Sequence, residues 1–174
     1  LLTDLVGYPE RVSIFGFPDP VNEVSARLVA GGVVAMGLAT IAFDLRWLTL
    51  VIAYGFVARV LTGPTLSPLG QLVTRVVTPR LAVAPKLVPG PPKRFAQGIG
   101  AAFSVTAATL TFGFDAFGAA QVVLGLLVVA ASLEAFLGLC LGCRAFALLM
   151  RLGVIPASVC ERCNDLSGRL GVAA

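Results

Sequence analysis

Residues 118–139 read GAAQVVLGLLVVAASLEAFLGL, with Glu134 as the single charge. As a helix, at about 1.5 Å per residue, the run is roughly 33 Å long, one hydrocarbon thickness. Inside lipid a backbone must satisfy its own hydrogen bonds, which selects helix for this stretch. Three further runs have the same character: 24–43 (VSARLVAGGVVAMGLATIAF), 45–62 (LRWLTLVIAYGFVARVLT) and 95–112 (FAQGIGAAFSVTAATLTF). The first two are separated only by Asp44, and 95–112 is joined to 118–139 by the turn GFDAF. Each is long enough to cross a bilayer. The chain therefore reads as two helical hairpins. Small residues such as Gly31, Gly32, Gly37, Gly98 and Gly100 let their helices approach closely.

The rest of the composition agrees. Of 174 residues, 57% are hydrophobic and only 13% charged, too few charges to cover a soluble domain of this size. There is no His, which excludes a Ser-His-Asp triad, a His-ligated haem and any His-ligated metal. No Gly-rich nucleotide loop of a standard type occurs, and one Lys-Arg pair is too little for nucleic acid. The net charge of +4 is distributed by side. Arg75, Arg80, Lys86, Lys93 and Arg94 lie between the hairpins. Arg144, Arg151, Arg162 and Arg169 follow the last span, whereas Arg46 alone sits beside a turn on the other side. The positive-inside rule places both termini and the middle segment in the cytosol, with Asp44 and Asp115 in the outer turns.

The fold expected is an all-α integral membrane protein with five segments. Residues 1–23 form a cytosolic or interfacial arm without the pattern of a signal peptide. Residues 24–81 and 93–156 each form a hairpin followed by a short interfacial helix. The Pro-rich linker 82–92 joins them, and 157–174 is a Cys-containing tail. The two hairpins look duplicated: Ala26-Arg27 aligns with Lys93-Arg94, and Tyr54–Gly63 with Val129–Gly138. Parallel repeats of this kind predict a pseudo-two-fold bundle of four transmembrane helices. The same register superposes Arg59 and Glu134, the charges deepest in the spans. It predicts an Arg59–Glu134 ion pair facing the bundle interior, with a polar patch near a substrate or quinone pocket, or snorkelling of Arg59 to the cytosolic surface, as the other readings.

Four cysteines carry the chemistry. Cys140-Leu-Gly-Cys143 ends the fourth span, and Cys160-Glu-Arg-Cys163 follows sixteen residues later. Two C-x-x-C pairs at that separation match a four-cysteine zinc site, with iron or an iron–sulfur cluster as other occupants of the same sulfurs. The leading expectation is a membrane scaffold or accessory subunit with a metal held by Cys140, Cys143, Cys160 and Cys163. The same motif is also the dithiol of thiol–disulfide exchange, so Cys140 and Cys143 are equally candidate catalytic residues of an oxidoreductase or sulfur-transfer protein. Transport is a third class, and four short spans would need an oligomer to build a pathway. Association into a homo-oligomer or a larger membrane complex is compatible with the Gly/Ala-rich faces.

At PPKRFAQGIGAAF (91–103), LEAFLGLCLGCRAFALLMRLG (133–153) and LSPLGQLVTRVVTPRL (66–81), the chain resembles an uncharacterised family of bacterial membrane proteins, domain-of-unknown-function family 4395. The resemblance covers roughly residues 19–153, which leaves Cys160 and Cys163 outside it. Where the family pattern has a large residue and an acid after the second cysteine, this chain has Arg144 and Ala145. The resemblance implies a place near thiol and sulfur metabolism, with a thioredoxin-like or sulfurtransferase protein as partner. The four-helix shape is also similar to DoxX-type proteins, some of which work with quinone-dependent sulfur enzymes. A quinone is therefore a further cofactor compatible with the resemblance.

Overall fold

The computed structural model describes residues 17–81 and 83–160. The expected arm is described only from residue 17, and the tail beyond Cys160, including Cys163, lies outside the described residues. The elements are β1 (Val21–Asn22), α1 (Glu23–Ala42), α2 (Leu48–Thr62), α3 (Pro68–Leu72), a π-helical turn (Val73–Val77), α4 (Thr78–Arg80), β2 (Leu87–Val88), α5 (Gly90–Phe112), α6 (Phe117–Leu137) and α7 (Leu141–Arg151). A 3₁₀ turn at Ala157–Val159 follows. The chain is thus mostly helical. Helices α1, α5 and α6 are each long and apolar enough to cross a membrane, and α2 is apolar but only 15 residues long.

Local chemistry explains the boundaries. Asn22 caps α1 by accepting from the Val24 N–H, and Ser67 caps α3 by accepting from Gly70. Helix α5 starts at Gly90, inside the segment expected to be linker, because Pro91 and Pro92 occupy its first turn, where a missing N–H costs nothing. Helix α2 starts three residues later than expected, since residues 43–47 are needed to reverse the chain. Both hairpin turns place an aspartate in the left-handed region, Asp44 at φ 51° and Asp115 at φ 48°, a conformation that short polar side chains tolerate.

Helix α1 packs on α6, α2 packs on α5, and α5 also packs on α6. Val33, Val34, Ile52, Phe56, Ala107, Ala120 and Leu124 form the centre of the core. Close approach depends on glycine: the space a Cβ would need at Gly37 is taken by Val128, and at Gly100 by Phe56. Outward-facing positions stay apolar, with Leu50, Val57, Leu61, Val122, Val129 and Phe136 all exposed. Exposed apolar surface on both hairpins is what a lipid-facing bundle presents.

Contacts between the hairpins are reciprocal. Arg27 on α1 donates to the carbonyls of Ala135 and Phe136 at the end of α6, at 3.1 and 2.9 Å. Arg94 on α5 donates to the Val60 carbonyl at the end of α2, at 3.0 Å. At the opposite end Arg46 pairs with Asp115 at 2.9 Å, and Gln121 donates to Asp44 at 3.0 Å. Strands β1 and β2 pair antiparallel, Val21 opposite Val88, and tie the starts of α1 and α5 together.

Candidate functional site

Helix α6 ends at Gly138, which lies in the left-handed region at φ 67° and returns its N–H to Glu134 O. The Leu139 N–H reaches back to Leu133 O at 3.0 Å, completing a Schellman-type stop. One residue later Cys140 becomes the N-cap of α7. Its Sγ accepts from the Cys143 N–H at 3.3 Å, and the Cys143 thiol donates to the same sulfur at 2.7 Å. Both are free thiols; Cys140 is buried and Cys143 is half-buried. Helix α7 is held in place by Phe146, buried and tilted against Phe95 with centroids 5.6 Å apart. Gly142 seats the first turn of α7 directly on Ala96. Arg144 and Arg151 project from the exposed face.

The two thiols are electrostatically unequal. The bond from the Cys143 thiol pushes Cys140 below the ordinary thiol range, against burial and the nearby Glu134 carboxylate and with help from Lys93. Donating that proton, with burial next, pushes Cys143 strongly upward. One thiolate with an adjacent proton donor is the arrangement of a nucleophile and its resolving partner.

Beneath the dithiol the spans carry a polar cluster. Lys93 Nζ lies 2.6 Å from Glu134 Oε1, with side chains 9% and 16% exposed. Arg59 donates from Nε to Gln97 Oε1 at 2.9 Å and from Nη1 to Ser67 Oγ at 3.1 Å, and its guanidinium stacks 4.5 Å from the Phe56 centroid. A cavity of about 370 Å³ lies between Cys140 and this cluster, lined by Arg59, Gln97, Glu134 and apolar residues such as Val33, Phe103 and Leu127.

These contacts correct two expectations. The direct Arg59–Glu134 ion pair is replaced by Lys93–Glu134, because the first turn of α5 brings Lys93 within 2.6 Å of the carboxylate while Arg59 is bonded to Gln97 and Ser67. The four-cysteine metal centre is overturned. Among the described residues no three Cys, His, Asp or Glu side chains converge. Cys160 is disulfide-bonded and so has no thiolate to offer, and two free thiols are too few for a tetrahedral thiolate site. Zinc, iron and an iron–sulfur cluster at these residues fall together. The spacing C-x2-C-x16-C-x2-C signals a metal site only where the pairs meet, and among the described residues Cys160 does not join Cys140 and Cys143.

Sequence reasoning missed Lys93, Gln97 and Ser67. Lys93 and Gln97 are one helical turn apart, a spacing that puts both on one face of α5. In the sequence the shared face is hidden by the position of Lys93 among the basic residues that precede the span.

Residues 21–151 match the family described as a domain of unknown function, DUF4395. The chain belongs to that family. DUF4395 is an uncharacterised family associated with bacterial membrane proteins, and with its candidate spans this member is a multi-pass inner-membrane protein. The match takes in the Cys140–Cys143 pair, Lys93, Arg59 and Glu134 and stops short of Cys160. No curated protein and no solved structure matches the chain.

Proposed function

We propose that this DUF4395 protein is a membrane thiol–disulfide oxidoreductase, or the sulfur-transfer partner of one, acting through Cys140 and Cys143. The observation that carries the reading is the pair of free sulfurs 2.7 Å apart at the cap of α7. In the oxidised form a partner thiolate attacks Cys143 Sγ, the more accessible of the two. Cys140 leaves as the thiolate, since the sulfur with the lower pKa is the better leaving group. A second partner thiol then resolves the mixed disulfide. The partner becomes the disulfide, the pair becomes the dithiol, and two electrons and two protons move. A thioredoxin-like protein fits this exchange. In the reduced pair the Cys140 thiolate can instead take the outer sulfur of a sulfurtransferase persulfide, breaking its S–S bond, forming a Cys140 persulfide and releasing the donor's cysteine thiolate.

The finer architecture belongs to the same reading. Two duplicated hairpins give four spans, α1, α2, α5 and α6, about a pseudo-two-fold axis along the membrane normal. The paired contacts Arg27 to the end of α6 and Arg94 to the end of α2 support the duplication, as does Arg46–Asp115 opposite Gln121–Asp44. The basic residues at the dithiol end support a cytosolic orientation for it. The segments 24–81 and 93–156 are then the two repeats. A homo-oligomer or a larger complex would use their apolar outer faces.

The test uses the full chain in mild detergent. Wild-type protein, oxidised with a mild oxidant, should form a Cys140–Cys143 disulfide that reduced thioredoxin removes. Cys140→Ser and Cys143→Ser should each abolish the cycle, leaving the Cys160 disulfide as an internal control. Failure of wild type to form that disulfide, or of thiols to reach it, would refute the proposal.

A further inference from the structure

Arg59 is charged, only 5% exposed, and held by neutral groups: the Gln97 amide, the Ser67 hydroxyl and the Phe56 ring. Among the described residues no carboxylate forms an ion pair with it. Glu134 acts on Arg59 through space but is committed to Lys93 at 2.6 Å. Two buried cations therefore share one carboxylate and leave an excess positive charge. An unbalanced charge in a low-dielectric setting is costly, and an anion lowers that cost.

The space for one is present. A second cavity, of about 200 Å³, is bounded by the start of α1, the end of α2, the turn after α3 and the start of α5. Its volume is several times the roughly 30 Å³ share of one water molecule. Both Arg59 and Lys93 line it, together with Asn22 and Gln97, and no acidic residue does. Arg59 Nη2 and the side-chain amide nitrogens of Asn22 and Gln97 have no hydrogen-bond acceptor among the described residues. Unused N–H donors beside a guanidinium and an ammonium match an oxygen-rich anion, and arginine is well suited to such groups.

We infer that this cavity binds a small oxyanion, either a free sulfate- or phosphate-type ion or the phosphate of a lipid headgroup, on Arg59 with Lys93, Gln97 and Asn22 around it. The cysteines do not line this cavity, although Arg59 and Gln97 line both it and the cavity beneath Cys140, and oxyanion binding here does not depend on the dithiol reading.

The experiment measures thermal unfolding of the full chain in dodecyl maltoside micelles, which carry no phosphate, in gluconate buffer, against added sodium sulfate and inorganic phosphate. A second arm adds phosphatidylglycerol to the micelles and omits the free ions. A ligand that binds only the folded state raises Tm saturably with concentration. Wild type should show that rise in at least one arm, and the responding arm identifies the source of the oxyanion. Arg59→Met should weaken the midpoint at least tenfold. Ala26→Phe, which keeps every charge and fills the cavity wall, should do the same if Arg59→Met fails to fold. The proposal is overturned if wild type responds in neither arm, or if the variants that fold respond like wild type.

Discussion

Cys140 Sγ receives two bonds from one residue, the backbone N–H and the thiol of Cys143. Each stabilises the thiolate, so the pH profile of alkylation should report them separately. In wild type the iodoacetamide rate should rise with a midpoint below that of an ordinary thiol. Cys143→Ala removes the thiol donor but keeps the N–H. The midpoint should then move up, and the rate at neutral pH should fall severalfold. A midpoint unchanged in Cys143→Ala would mean that the helix cap alone sets Cys140 reactivity. Lys93 and Glu134 invite a second measurement at this scale. Removing one partner of a buried ion pair costs about 3–5 kcal/mol, because the other charge stays behind. Lys93→Met should therefore lower Tm in detergent markedly, and Lys93→Met with Glu134→Leu should recover most of the loss.

The decisive element is α7. It is held to the bundle by one aromatic contact, Phe146 on Phe95, and by the close approach of Gly142 to α5. A Cβ at Gly142 would lie 2.5 Å from Ala96 Cβ and 2.6 Å from Ala96 Cα, and the helical backbone at Ala96 cannot yield. Overpacking of this kind typically costs about 1–3 kcal/mol. Gly142→Ala should lift the first turn of α7 and expose the dithiol. The expected readout is faster alkylation of Cys143 with helix content unchanged by circular dichroism. Unaltered Cys143 labelling would show that the cap, and not the seat on α5, holds the pair.

At the scale of the molecule, helices of apolar surface carry a polar cluster at one end and paired aspartate turns at the other. Orientation is the property to test. Single cysteines introduced at Asp44 and at Lys86, in a background lacking the native thiols, should label oppositely with a membrane-impermeant maleimide in intact cells. Asp44→Cys is expected to label from outside and Lys86→Cys only after lysis. The reverse pattern would put the dithiol outside the cytosol and change the class of partner.

Hydropathy alone placed the long runs, because a span of about 20 apolar residues has few competing fates in water. It was less exact at the edges: the start of α5 at Gly90 and the late start of α2 depend on where Pro and the turn aspartates can sit. The membership in DUF4395 was also legible, carried by RFAQG and FLGLCLGC. The identity of the chemistry was not. Spacing shows that two C-x-x-C pairs exist but not whether four sulfurs share a centre, since that depends on the fold of the chain between Cys143 and Cys160. Likewise, a repeat register pairs Arg59 with Glu134 on paper, yet which cation reaches a carboxylate is decided by side-chain reach across packed helices. Lys93 wins that competition from a third helix. The amino-acid sequence by itself determined the long apolar helices and the family, because hydropathy is a property of each segment. Only the tertiary structure decided the partners of the buried charges and the number of sulfurs at the site, because those are properties of distance.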